Sequence, residues 1–343
     1  METTLRPSPT ALLNPKLDPI FKSLFTQKNE NSKKALQGFL SAIFNQPVEN
    51  VVIDKNEIPI ESEKDKQSIF DVTCTLKNEQ QVINIEMQAQ NNSGAFDNRS
   101  EYHVAHLLNH YVQKGTPWIL VPQAYMISVL NFVYDSSDDD FFRWYTFRQK
   151  SGKELKSSRL NIIYLELPKL NNKNFDADDS DPKLLTSIQR WGKFFLYANN
   201  KEKKEYLQQL EEMEEGIMYA QSVLSEISQS DAEWRRERDY IDAINTELSV
   251  KLYAQQQGLA EGRAQGLAEG RAEGIQQGKI EGKAEGRAEG KLEGKLEGKL
   301  EGAREKAIET AKNLLAMKTL SPKQISQATG LTVEEVIAFT DKK

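Results

Sequence analysis

Apolar side chains recur every three or four positions through DPIFKSLFTQKNENSKKALQGFLSAIF, residues 18–44, and the polar stretch at 27–34 divides the run. The spacing predicts two amphipathic helices. Three strand-like runs follow, VENVVIDKNEIPI (48–60), SIFDVTCTL (68–76) and QVINIEMQ (81–88), with KNEQ as the turn signal between the last two. A helical pattern covers 96–114 and is closed by Gly115 and Pro117. Beyond it YMISVLNFVY (125–134), FFRWYTFRQ (141–149) and LNIIYLEL (160–167) again read as strands. Helices, then strands, one helix and more strands suit an α/β fold with a mixed central sheet flanked by helices better than a bundle or a sandwich. This core is expected over residues 14–181, behind a flexible N-terminus at 1–13 and ahead of a charged helical extension at 182–255.

The pattern changes in the segment 256–302, where glycine occupies every fourth position from Gly258 to Gly302, twelve times in all. At about 0.8–1 kcal/mol each against alanine, these glycines cost an isolated helix on the order of 10 kcal/mol. The period of four also stacks Glu on Glu and Lys on Lys at i,i+4, which is mildly repulsive. In a helix the acidic and basic rows lie on nearly opposite sides, so one copy's acids can face the next copy's bases. Homo-oligomerisation through the C-terminal region is one expectation; a low-complexity spacer that tolerates expansion is the other. The tetrads are charged throughout, which does not suit a membrane GxxxG contact. Residues 303–343 read as a small module of three helices, at 307–317, 322–329 and 332–339, with a turn at Gly330. Their spacing resembles a helix-turn-helix, yet the helix that would enter the groove carries Glu334 and Glu335 and no Lys or Arg. That favours a packing or oligomerising role over DNA reading.

Composition narrows the functional classes. With 343 residues, 38% hydrophobic and 28% charged, the chain can bury one sizeable core and carry an appendage. Its 45 basic and 51 acidic residues leave a net charge of −6, so any hold on nucleic acid has to be local or metal-assisted. The single cysteine, Cys74, excludes an internal disulfide framework and suits the cytoplasm. The opening METTLRPSPT lacks an apolar signal core, and no apolar run reaches the roughly 18 residues of a membrane span.

The two runs around KNEQ carry the chemistry. A turn on Asn78 and Glu79 pairs Lys77 with Gln80 and sets Asp71 opposite Glu86. Alternation then gathers Phe70, Val72, Cys74, Leu76, Ile83, Ile85 and Met87 on a core face, and Asp71, Thr73, Thr75, Asn84, Glu86 and Gln88 on the other. Two directly opposed carboxylates stand about 4.5–5.5 Å apart at Cβ and repel unless a cation lies between them. Mg²⁺ suits such a pair, since it takes one or two protein carboxylates, keeps several waters and completes its shell from phosphate. An amphipathic hairpin with a solvated polar face shows the same alternation, and the spacing leaves both readings open.

An Asp, an apolar strand and Glu-x-Gln about fifteen residues on resemble the PD-(D/E)XK nuclease superfamily in an E-x-Q variant. More narrowly, LDPIFKSLF (17–25), KQSIFDVTCTLKNEQQVINIEMQ (66–88), FDNRSEYHVAHLL (96–108) and LELPK (165–169) resemble, in consistent order, the Rpn family of recombination-promoting nucleases, also described as transposases. The resemblance implies a restriction-endonuclease-like core, a DNA substrate, phosphodiester hydrolysis with Mg²⁺ or Mn²⁺, and Asp71 and Glu86 as metal ligands. It makes Gln88 a catalytic position usually held by lysine. Asp18 and Lys22 lie one turn apart on the first helix and could point into such a site; as a helix-start acid and an i,i+4 ion pair they need no site at all. On the helix after the hairpin, Arg99 is the candidate phosphate contact. His103, His106 and His110 share its stripe, but no second ligand cluster supports zinc. The acidic runs DSSDDDFF (135–142) and DADDSDPK (176–183) lack calcium-loop spacing and read as solvated loops or helix starts. A different class of function, a catalytically silent self-associating scaffold built on a nuclease-like core, fits the same sequence.

Overall fold

The computed structural model describes residues 6–54, 71–76, 80–90, 96–155, 158–171 and 181–340. The two expected amphipathic helices form, α1 (Asp18–Thr26) and α2 (Glu30–Phe44), and Asn29 caps the second by accepting a hydrogen bond from the Ser32 backbone N–H. Six strands follow in one sheet: β1 (Val51–Ile53), β2 (Val72–Leu76), β3 (Gln81–Gln88), β4 (Gln123–Leu130), β5 (Phe142–Thr146) and β6 (Leu160–Glu166). Their spatial order is β1-β2-β3-β4-β6-β5. The outer pairings are antiparallel, whereas β3, β4 and β6 run parallel, so the sheet is mixed. A parallel β3–β4 pair needs a crossover, which α3 (Phe96–Tyr111) supplies.

Both faces of the sheet are covered. On one, Val72, Cys74, Leu76, Ile83, Ile85 and Met87 join a large cluster with Phe21, Phe25 and Phe39. Phe70, expected beside them, lies outside the described residues, as do the KNEQ turn at 77–79 and the second half of the first strand-like run. On the other face, Val104 and Leu107 of α3 pack over Val82, Ala124 and Met126. Alternation alone does not reveal that cover. The polar face of the hairpin is therefore not solvated: Thr73, Asn84 and Glu86 are buried, as is Ser128 of β4.

The helices beyond Pro182 share the first core. Trp191, Phe194 and Phe195 of α4 (Ser187–Tyr197), Leu210 of α5 (Lys204–Met213) and Ile217 and Val223 of α6 (Glu215–Ile227) all belong to it. Gly38 and Gly216 let α2 and α6 touch, because a Cβ at Gly38 would stand 2.6 Å from the Gly216 Cα. The acidic run at 135–142 is irregular up to residue 140 and exposed at 136–140, as a solvated loop would be, and ion pairs tie it to the sheet. Arg143 pairs with Asp135, Asp138 and the buried Glu166, and the buried Lys169 lies 3.2 Å from Glu166 and 3.3 Å from Asp138. Of the second run only 181–183 is described, where Asp181 caps a short turn by accepting from the Lys183 N–H.

A helix of 86 residues, α7 (Asp231–Ala316), continues from there. The chain divides within it into two compact units, Met1–Leu248 and Ser249–Lys343. In the first unit Trp234 is buried and Glu237 accepts from the Asn14 N–H. In the second, residues 258–302 are helical and exposed throughout. The expected helix at 307–317 is the end of α7 rather than a separate element. It packs Ala311 with Ile325 of α8 (Pro322–Thr329), Leu331 and Val336 of α9 (Val333–Ala338). Gly330 caps α8 at φ 75, a conformation glycine adopts without strain. Glu335 closes a capping box with Thr332 and pairs with Arg304, so that acid of α9 is occupied locally. Among the described residues no helix is long and apolar enough to cross a membrane.

The α2–α6 contact gives a test of the core. Gly38→Ala gains helix propensity but drives a methyl into the Gly216 backbone, and overpacking of this kind costs about 1–3 kcal/mol. Urea unfolding of the full chain is expected to show a lower midpoint with an unchanged slope.

Candidate active site

The hairpin register is the one the turn implied. Val72 lies opposite Ile85 and Leu76 opposite Gln81, so the next rung, one residue before β2, sets Asp71 against Glu86. Asp71 Oδ2 accepts from the Met87 N–H at 3.2 Å, which ties the carboxylate to the neighbouring strand. Glu86 is 7% exposed, and its Oε1 accepts from Ser128 Oγ of β4 at 3.0 Å. Arg99, on the first turns of α3, stands 3.8 Å from the same oxygen and donates to Gln88 Oε1 at 2.6 Å. Gln88 also lies close enough to Glu86 to favour its ionised form, so its carboxamide stands beside both acid and guanidinium.

Asp18, the first residue of α1, completes the acidic side. It lines the same cavity as Asp71 and raises that carboxyl, while its own Oδ1 is buried with no hydrogen-bond partner. Lys22, one turn on, does not line the pocket. The cavity, about 310 Å³, brings together Asp18, Asp71, Glu86, Gln88 and Arg99, together with residues the sequence reading did not place there. His103 of α3 lines it, and so do Tyr240, Ala243, Ile244 and Glu247 of α7. The last four are spaced i, i+3, i+4 and i+7, the signature of one helix face. In so charged a stretch nothing marked that face as covering anything.

Burial and like charge dominate the electrostatics. The Asp71 carboxyl is pushed well above the usual carboxylate range, first by burial and then by its hydrogen bond to Asp18 and the charges of Asp18 and Glu86; the Met87 N–H opposes this. Burial lifts Glu86 to about 6 despite the pull of Arg99 and the Ser128 hydroxyl. Burial, with Arg99 and His106 nearby, pushes His103 down to about 4, so it is neutral at physiological pH. Burial and the nearby Asp18, Asp71 and Glu247 charges raise Tyr240 to about 12.

Such a site fits a hard divalent cation. Its donors are carboxylate oxygens, two of them repel across a rung, and the buried Asp18 Oδ1 has a lone pair to give. Among the described residues no three His, Cys, Asp or Glu side chains converge to hold a metal ion. A pair of carboxylates is nonetheless enough for Mg²⁺, which retains several waters. The same result leaves the α3 histidines without a zinc set, and His106 instead stacks on Tyr102.

A mixed sheet flanked by helices, with an acidic pocket at a hairpin and a crossover helix lending an arginine, defines a nuclease-like α/β protein of restriction-endonuclease-like fold. The chain belongs to the PD-(D/E)XK nuclease family transposases, whose family model matches residues 15–247. That match takes in α1, the hairpin, Arg99 and the α7 face up to Glu247. No curated protein and no solved structure matches the chain. PD-(D/E)XK nucleases generally use divalent metal ions and act on DNA.

The raised carboxylates predict a pH dependence of stability. A carboxyl whose folded pKa exceeds its unfolded value binds more protons folded than unfolded, so its contribution is present below the unfolded value, about 4.5, and is lost as pH rises through about 6. For Glu86 this amounts to about 2 kcal/mol. Metal-free protein is expected to unfold at lower denaturant at pH 8 than at pH 5, and Glu86→Gln to flatten that difference by roughly 1 kcal/mol, the part of the effect that falls within this window, in urea titrations.

Proposed function

We propose that the protein is a metal-dependent DNA endonuclease that hydrolyses phosphodiester bonds, in the recombination or mobile-element setting its family membership and its likeness to recombination-promoting nucleases suggest. The observation that carries this reading is the opposition of Asp71 and Glu86 across one buried rung, with Asp18 crowding the same side. In this reading Asp71 and Glu86 hold Mg²⁺ or Mn²⁺. When bound, such an ion polarises a phosphoryl oxygen and lowers the pKa of an attacking water.

The chain's other residues supply what the ion does not. Arg99 brings to the site the positive charge that Gln88 lacks, and its fork suits a non-bridging phosphate oxygen. Gln88 is engaged by Arg99, from which its Oε1 accepts, so its role is to position the guanidinium beside Glu86 rather than to meet the phosphate. Ser128 fixes the Glu86 carboxylate from β4. Asp18 acts through Asp71, crowding the same side of the cavity with a second carboxylate. Burial keeps bulk water from competing for these groups.

Supercoiled plasmid incubated with the full chain is expected to be nicked or linearised with Mg²⁺ or Mn²⁺ and left intact in EDTA. Asp71→Asn and Glu86→Gln should each lower the rate at least ~100-fold, the scale on which removal of one electrostatic group at a reacting phosphate is felt. Cleavage that survives chelation and both substitutions would end this reading.

Arg99 gives a separate expectation. Arg99→Gln removes charge and fork together, whereas Arg99→Lys keeps the charge. If the guanidinium meets phosphate, the lysine variant should recover part of the rate, and the glutamine variant should show a raised KM for DNA and a flatter salt dependence of binding.

A further inference from the structure

The helical repeat of the second unit carries charges that a single helix cannot pair. Within residues 258–302 each glycine is followed by a basic or apolar residue, then by alanine, leucine, isoleucine or glutamine, then by Glu or Gln. Acids and bases are therefore two or six positions apart and never three or four, so neither faces the other on its own helix. Where charges do recur at i,i+4 they meet their own kind. From Lys279 to Glu301, six bases follow one another in one row and six glutamates in another. The side-chain bonds along the repeat, Gln265 to Glu269 and Gln277 to Glu281, occur where glutamine interrupts the acidic row. Twelve open glycines add a propensity cost on the order of 10 kcal/mol. The segment is nonetheless helical and exposed from end to end.

We infer that this helix pairs with a second copy of the same chain, in parallel. At about 100° per residue the basic row stands about 100° to one side of the glycine row, the acidic row about 60° to the other, and the alanine and leucine row nearly opposite. A two-fold axis along the helices sets the basic edge of one copy against the acidic edge of the other on both sides of the seam. An axis across the helices, the antiparallel case, sets bases on bases and acids on acids. The outcome is the same whether the glycine row or the leucine row fills the seam, so the charges choose the direction and the glycines only permit a close approach.

The period also limits the length of the contact. Four exceeds 3.6, so each row advances by about 40° per tetrad and winds right-handed around its helix. Two helices share a row for two or three tetrads, which is a crossing and not a long coil. The best-suited segment is GKLEGKLEGKLE, residues 290–301, three identical tetrads in which Leu292, Leu296 and Leu300 are 76%, 62% and 65% exposed. Pairing there covers the leucines and sets Lys291, Lys295 and Lys299 of one copy beside Glu293, Glu297 and Glu301 of the other.

Light scattering of the full chain at low salt is expected to give twice the monomer mass. The triple variant Glu293→Lys, Glu297→Lys, Glu301→Lys and its mirror Lys291→Glu, Lys295→Glu, Lys299→Glu should each give the monomer mass with helicity retained by circular dichroism, and their equimolar mixture should regain the doubled mass. Direction is read by oxidation, since the native Cys74 is buried. In a parallel crossing centred on Leu296, Leu292→Cys lies in the seam and links to itself. In an antiparallel one it faces Leu300 of the other copy, so a disulfide appears only when Leu292→Cys and Leu300→Cys chains are mixed. A monomeric native chain, charge variants that still pair with themselves, or linkage only in the mixed sample would each overturn the inference. None of these readouts depends on DNA cleavage.

Discussion

Two carboxylates opposed on a buried rung are a liability that folding alone does not reward, and the first unit is built around this one. Three elements contribute something that holds or partly offsets the repulsion between Asp71 and Glu86. The β3 backbone donates to Asp71 through the Met87 N–H, β4 donates to Glu86 through Ser128, and α3 brings the Arg99 guanidinium within 3.8 Å. These contacts do not balance the charge, because α1 adds Asp18 and α7 adds Glu247 to the same cavity. Groups held at a net electrostatic cost mark function more often than stability, and the stabilising work is done elsewhere, by the aromatic cluster of Phe21, Phe25, Phe39, Trp191 and Phe195.

The sheet carries a second charge cluster, centred on the buried Glu166 and Lys169, that makes the contrast plain. Around Glu166, the acids Asp135 and Asp138 meet two cations, Arg143 and Lys169, and the Tyr134 and Asp135 N–H groups donate to the remaining Glu166 oxygen. Every charge there has a partner within the chain, as a structural network requires. At the hairpin, acids outnumber the one guanidinium and a buried carboxylate oxygen is left without a hydrogen bond. The first arrangement is closed and holds the segment after β4 against β6. The second has room for a cation from outside, and this imbalance, more than the presence of acids as such, separates a candidate site from a structural one.

What the sequence disclosed follows the range of the forces involved. The register of β2 and β3 depends on alternation and a short turn, both local, and the facing of Asp71 and Glu86 could be read from them. What covers the polar side of the hairpin depends on α3 packing across the sheet, and alternation is blind to it. The ion network at 135–143 was hidden for the same reason, since its partners Glu166 and Lys169 lie more than twenty residues on. The α7 face of Tyr240, Ala243, Ile244 and Glu247 has a helical spacing that is visible after the fact, but its charged surroundings make every face of that helix look equally solvated. Asp18 was readable and Lys22 was not, because being four apart on a helix brings two side chains to the same side of the helix and not to the same point.

One helix, α7, is held by two different kinds of physics along its length. Up to Leu248 it is a packed element of a globular unit: Trp234 is buried and donates to the Ser228 carbonyl, Glu237 receives the Asn14 N–H, and Glu233 bonds Ser23 of α1. From Gly258 to Gly302 no side chain is buried, the propensity is poor, and the i,i+4 neighbours are alike in charge. A helix with no packing and unfavourable local terms is stable only if something outside its own chain supplies the missing contacts. The strict phase of acids and bases states what that something must look like, a surface with the same two rows in the same order, and the surface with that property most readily at hand is another copy of this repeat.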